Sequence, residues 1–204
     1  MEKRKRQNIR QDISYLTVIL DEITEGKIKI PTFNRPFVWR SKDVIALFES
    51  IRDGIPIGSL VLWETSDKLP IQPNFGDFQL PKKNYERYSL YIIDGYQRLI
   101  SLYNVLTPFK SEEDLKKTNW IWDIYYDLKT EVFVHAKHIE DIKPYHISLK
   151  KMIKTTLILK EINRIKSKCG EFASEYIKRL EELNKIFRDT TISIAIIGGG
   201  SLEN

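Results

Sequence analysis

The run Tyr91-Ile92-Ile93-Asp94-Gly95-Tyr96-Gln97-Arg98-Leu99 joins a β-prone stretch to an apolar helical repeat through an Asp-Gly break. A strand that turns directly into a helix leaves the first helical N–H groups unpaired, beside the partial positive charge of the helix terminus. Anions bind at such places. Arg98 falls in that first turn, where a cation opposes the helix dipole by about 0.3–1 kcal/mol if exposed. An anionic ligand reverses the penalty, because the arginine and the helix terminus then attract the same group. Asp94 could hold Mg²⁺ or another hard cation that bridges phosphate oxygens. Gln97 could hydrogen-bond a phosphate or position a water. The plain alternative is ordinary turn chemistry: Asp94 caps, Gly95 turns, and Arg98 pairs with a distant carboxylate.

A second constellation is Ile30-Pro31-Thr32-Phe33-Asn34-Arg35-Pro36-Phe37-Val38-Trp39. Pro36 keeps Arg35 out of the helical region, so its side chain projects from an extended loop. Phe33, Phe37 and Trp39 are expected to anchor that loop in the core, because aromatic rings bury large areas. Asn34 and Arg35 are then its exposed polar pair.

The elements that must carry these residues read as a mixture without regular alternation, which places the chain in the α+β class. Apolar residues at Ile13, Leu16, Leu20 and Ile23 predict a helix over residues 13–25, stopped by Gly26. A short strand follows over 27–31, then the aromatic loop 32–40. Ser41 predicts an N-cap for a helix to Arg52, with Asp43 in its first turn and Gly54 as its stop. A Pro56–Gly58 turn leads to a strand over 59–63, residues 66–87 read as loop, and 88–93 as a strand. Leu99, Leu102, Tyr103 and Leu106 repeat at helical spacing before Pro108, and 120–127 with 131–135 reads as a hairpin. Two helical pieces over 148–188 break near Cys169-Gly170, and 191–197 is β-prone. This divides the chain into a basic tail (1–12), a core (13–140) and a helical C-terminal appendage with a final strand (141–204).

Composition sets bounds on the function. Of 204 residues, 42% are hydrophobic and 30% charged, as in ordinary globular proteins. No apolar run approaches the roughly 20 residues needed to cross a bilayer, so no membrane partner is expected. Cys169 stands alone, which excludes an internal disulfide and fits a reducing, cytoplasmic setting. The net charge of +5 resides mainly in the first ten residues, which hold five Lys/Arg against one Glu. Such an arm could touch phosphate backbones, although basic tails are commonly only solvated. Residues 150–168 carry seven Lys/Arg against one Glu and allow the same two readings. His135, His138 and His146 fit no common zinc spacing and read as structural or surface residues. A sulfiredoxin-type reductase needs a reactive cysteine in the phosphate turn, and Cys169 is far from Gly95 in sequence.

The segments IPTFNRPFVW, GIPIGSLVLW and IIDGYQRLISL, in this order and spacing, resemble the N-terminal domain of GmrSD-type modification-dependent restriction endonucleases. The resemblance spans roughly residues 13–106 and is looser beyond. It implies a ParB/sulfiredoxin-like core and a nucleoside triphosphate, with Mg²⁺ as its divalent cation. The family signature is Asp-Gly-Gln-Gln-Arg; Asp94, Gly95, Gln97 and Arg98 match it, and Tyr96 replaces the first Gln. That departure bears on hydrolysis more than on binding. In the family's Ile-Pro-x-Phe-Gln-Arg segment, Arg35 matches and Asn34 stands where Gln is usual. By this resemblance Asp94, Gln97 and Arg98 form the catalytic set. Arg35, Asn34, Gly95, Tyr96 and Arg98 hold the nucleotide, and Asp94 the metal. A Phe-x-Arg-x-Asn motif is expected shortly beyond Asn204, and a nuclease domain, often of HNH type, in a separate C-terminal region. The present chain alone is not expected to cut DNA.

The function so implied is a regulatory domain of a phage-defence restriction protein that binds a nucleoside triphosphate, with hydrolysis as a candidate activity. DNA is met through the full-length protein, and a second copy is a further candidate partner. The competing class is a non-enzymatic DNA- or protein-binding module that keeps a degenerate motif.

Overall fold

The computed structural model describes residues 8–79, 88–108 and 119–198. Its centre is a five-stranded mixed sheet in the order β1 (Asn8–Tyr15), β10 (Thr191–Gly198), β3 (Ser59–Thr65), β6 (Ser89–Asp94), β2 (Ile28–Lys29). β10 runs antiparallel to β1 and parallel to β3, and β6 runs antiparallel to β3. Period-two burial explains why these segments pair: Ile192, Ile194 and Ile196 of β10 and Leu60 and Leu62 of β3 are buried in the common core. The alternate residues Ser59, Thr191 and Ser193 lie exposed on the opposite face.

Helices α1 (Leu16–Thr24), α2 (Ser41–Arg52) and α5 (Ala173–Asp189) each bury one apolar stripe. Phe48 of α2 meets Phe187 of α5 with ring centroids 6.0 Å apart. Helix α3 (Tyr96–Leu106) differs, because all its residues except Arg98 are buried. Its polar groups are satisfied locally: Ser101 Oγ donates to the Gln97 carbonyl, and Asn104 Nδ2 donates to the Ile100 and Phe75 carbonyls. A small hairpin, β4 (Asn74–Phe75) with β5 (Phe78–Gln79), packs Phe75 and Phe78 on Tyr103. A three-stranded sheet, β8 (Val132–His135), β7 (Ile124–Asp127) and β9 (His146–Ser148), lies against α2, with Phe133 of β8 6.2 Å from Phe48 between ring centroids, and precedes α4 (Thr155–Lys168) in the chain.

The mixed class expected from sequence is what the structure shows. Several details differ, among them the hairpin at residues 74–79 inside the stretch expected as loop. The first helix begins at Leu16 rather than Ile13, because residues 8–15 pair with β10 along their whole length. Residues 8–12, expected in the basic tail, are therefore strand. Ser41 is the first residue of α2 and Arg40 its cap position; Asp43 Oδ2 accepts the Arg40 N–H at 2.8 Å. The C-terminal segment is not an appendage: β10 separates β1 from β3, and α5 packs against α1 and α2. Periodicity showed both elements, but strand order is a long-range property that periodicity does not carry.

Candidate functional site

The Asp94 turn owes its geometry to a β-bulge. Leu62 pairs with Ile92, whereas Val61 pairs with Asp94, so Ile93 is an extra residue on β6. Uninterrupted pairing would set Asp94 opposite Leu60, on the buried face. The bulge shifts it by one residue onto the open face, where its carboxylate is exposed. Gly95 follows at φ +89, in the left-handed region. A Cβ there would meet Leu60 Cδ2 at 2.5 Å and the Ser59 carbonyl oxygen at 3.3 Å, so close packing on β3 also requires glycine. Helix α3 starts at Tyr96 without a side-chain cap, and its first bond runs from the Leu99 N–H to the Gly95 carbonyl at 3.0 Å. The amides of Tyr96, Gln97 and Arg98 thus precede the helical ladder.

The loop 32–40 is held over this turn by two amide side chains. Asn34 Nδ2 donates to the Ile92 carbonyl at 2.9 Å. Gln97 accepts the Val38 N–H at Oε1 (2.9 Å) and donates from Nε2 to the Pro36 carbonyl (3.0 Å). Gln97 is 6% exposed, so its amide serves chiefly as a clasp between helix and loop. The expected anchoring by aromatics is corrected in one member: Phe33 is 62% exposed. Phe37 and Trp39 do pack against the core, Phe37 edge-on to Trp122 at 4.7 Å. With Asn34 and Gln97 fastening the backbone, the loop does not need the Phe33 ring.

Together the two segments enclose a hollow of about 280 Å³ lined by Asn34, Arg35, Trp39, Ile93, Asp94, Gly95, Tyr96, Gln97 and Arg98. Every residue singled out from sequence in both segments as a site residue therefore lines one space. Arg35 is exposed, and neither it nor Asp94 has an ion-pair or side-chain hydrogen-bond partner among the described residues. Arg98 donates from Nη1 to the Ser59 carbonyl at 2.8 Å, its guanidinium lying over Gly58, where a Cβ would stand 2.9 Å from Nη1. Among the described residues the partner of Arg98 is thus a backbone carbonyl, with no carboxylate in ion-pair reach. Tyr96 is 7% exposed, and burial pushes its phenol above the usual tyrosine range. Among the described residues no other carboxylate lines the hollow, so a cation at Asp94 would take its remaining ligands from phosphate and water, as Mg²⁺ commonly does.

Sequence reasoning missed the contribution of Gly58 and Ser59. The Pro-Ile-Gly turn was visible, but nothing in its spacing pointed to the Arg98 side chain. The histidines lie elsewhere: His135 is buried, with Nε2 3.2 Å from the Ser41 carbonyl, and His146 Nε2 is 3.7 Å from Asp127. The basic stretch 150–168 is not one solvated face. Lys150 is buried and donates to the Asn104 carbonyl at 2.7 Å; burial pushes its ammonium down to about 8. Lys151 and Arg164 both hold buried Glu161. No described helix is long and apolar enough to cross a membrane.

The family model described as GmrSD restriction endonuclease, N-terminal domain, matches residues 16–197. A curated relative, the uncharacterized protein MJ0686 of Methanocaldococcus jannaschii, is 26% identical over 127 residues. That alignment covers 59% of this chain and 21% of the relative, so the chain spans about a fifth of its length.

Proposed function

Because the chain belongs to the family of GmrSD restriction endonuclease N-terminal domains, we propose that the hollow at the Asp94 turn binds the phosphate end of a nucleoside triphosphate. The observation that carries this reading is the meeting of Arg35 and Arg98, from distant segments, around one space with an uncapped helix start and an exposed carboxylate. Two guanidiniums and three amides are donors only, which suits a polyanion. A hollow of about 280 Å³ lies just under the usual range for sites that enclose a whole ligand of this size. The triphosphate is therefore its occupant, and the nucleoside lies outside.

In this reading Arg35 and Arg98 hold phosphate oxygens, and the backbone amides of residues 96–98 complete the cradle. Asp94 positions Mg²⁺, which neutralises phosphate charge when bound. Asn34 and Gln97 are positioning residues that keep Arg35 opposite Arg98. Tyr96 offers a buried phenol where the family has an amide, so binding is the first expectation and hydrolysis a separate question. We further read the core as ParB/sulfiredoxin-like and the domain as the cytoplasmic, regulatory region of a phage-defence restriction protein. DNA contact and cleavage would then belong to the full-length protein.

The test is calorimetric titration with ATP, GTP, CTP and UTP, each with and without Mg²⁺. At least one should bind, and the double variant Asp94→Ala/Arg98→Ala should lose it. Removing the charge-assisted bonds of Arg98 alone should cost about 1.5–3 kcal/mol, or roughly 10–100-fold in affinity. Binding that survives the double variant with the fold intact places the site elsewhere, and no binding by any nucleotide overturns the proposal for this chain.

A further inference from the structure

Strand β1 forms one edge of the main sheet, and among the described residues its only strand partner is β10. The backbone phase of that edge can be read directly. In an antiparallel pair, the N–H and C=O of one residue point to the same side and alternate along the strand. The Leu16 N–H, just past the strand, bonds the Thr190 carbonyl at 2.9 Å on the β10 side. The Ile13 N–H instead bonds the Asp12 carboxylate at 2.8 Å. Ile9, Gln11 and Ile13 therefore direct their backbone groups outward, and Arg10, Asp12 and Ser14 direct theirs to β10.

The residue types along this edge are self-complementary. Read about Gln11, the segment Ile9-Arg10-Gln11-Asp12-Ile13 sets Ile9 against Ile13 and Arg10 against Asp12 when two copies run antiparallel. We propose that β1 pairs with β1 of a second copy of this chain about a two-fold axis at Gln11, joining two five-stranded sheets into one of ten. In that register every outward backbone group meets an outward group: Ile9 exchanges bonds with Ile13, and Gln11 with Gln11. Two Arg10–Asp12 pairs face each other on the helix-bearing side of the sheet. Two Ile9–Ile13 pairs cover each other on the open side, where these side chains are 62% and 69% exposed. The interface is isologous, as two-fold symmetry demands. Asp12 then exchanges the Ile13 N–H of its own chain for Arg10 of the other, and Arg10 gives up its exposed 3.9 Å contact with Glu64 for that closer pair. It acts as an edge guard in the monomer and as an ion-pair partner in the dimer.

Sedimentation velocity on the full chain, over a range of concentrations, tests this. The parent should show a monomer–dimer equilibrium. Arg10→Asp and Asp12→Arg should each weaken it by at least about tenfold, because two symmetry-related pairs turn from attractive to repulsive. The exchange Arg10→Asp/Asp12→Arg should bring the affinity back to within about threefold of the parent, since attraction is restored. A second variant works without charge changes. Gln11→Cys places two cysteines about 5.5 Å apart between Cα atoms, within disulfide reach, and should give a covalent dimer under mild oxidation. The parent, with Cys169 alone, should not. A parent that stays monomeric at about 100 µM, well above the micromolar Kd of a modest interface, overturns the proposal. A dimer indifferent to the charge variants, with no Gln11→Cys cross-link, overturns it as well.

Discussion

At the scale of single residues, the two amide side chains behave differently from their expected chemistry. Gln97 is well placed beside the hollow, yet both ends of its amide are engaged by the backbone of loop 36–38. Replacing it with alanine leaves the Val38 N–H and the Pro36 carbonyl without these partners. Both bonds are only partly buried, and a hydrogen bond of that kind contributes about 0.5–1.5 kcal/mol. Gln97→Ala should therefore lower stability to urea by that order and speed hydrogen exchange at the Val38 amide. If the clasp positions Arg35, nucleotide affinity should fall as well. Unchanged exchange at Val38 would show that the loop holds itself. Asn34 fastens the same loop to the neighbouring strand, through the Ile92 carbonyl. Its short side chain suffices because the Ile92 carbonyl of β6 lies within direct reach, at 2.9 Å.

At the scale of elements, the strand-to-helix unit β6–α3 and the ion-paired helix α4 show how charge is arranged around packing. Glu161 of α4 is 4% exposed and is held by Lys151 at 2.5 Å and by Arg164. Burial alone would push its carboxyl up. The Lys151 and Arg164 contacts outweigh burial and hold it below the ordinary glutamate range. A folded value below the unfolded one contributes stability that is fully present above the unfolded pKa, roughly 4.3, and is lost as pH falls through the folded value. Chemical denaturation at a series of pH values should thus show stability declining below about pH 4.3. Glu161→Gln should flatten that decline, and an unchanged slope would assign it to other carboxylates. Arg164 also donates to the His146 carbonyl, so the same cluster fastens α4 to β9. This explains why a stretch rich in Lys and Arg is only partly available to a partner.

At the scale of the whole molecule, the C-terminal strand joins β1 to the rest of the main sheet, which predicts one cooperative unfolding unit. β10 is the only described strand neighbour of β1 and separates it from β3. Ile194 is 6% exposed in the middle of β10. Ile194→Ala should cost about 2–5 kcal/mol, and unfolding followed by far-ultraviolet dichroism and by tryptophan fluorescence should shift together. Separate transitions would mean that the C-terminal segment is an independent appendage after all. Seven of the nine residues that line the hollow were singled out in the sequence, all but Trp39 and Ile93, because Asp-Gly turns, X-Pro loops and apolar periodicity are local chemistry expressed within a few residues. The mixed fold class was legible for the same reason. Three things were not. The bulge at Ile93, which turns Asp94 to the open face, depends on its register against Leu62. The contact of Arg98 with Ser59, and the clasp of Gln97 on the loop, join segments that meet only after folding. The insertion of β10 between β1 and β3 depends on which apolar faces find each other. Local sequence determines which residues can turn, cap or carry charge. Long-range pairing decides which of them share one space, because that choice is made by burial across the whole core.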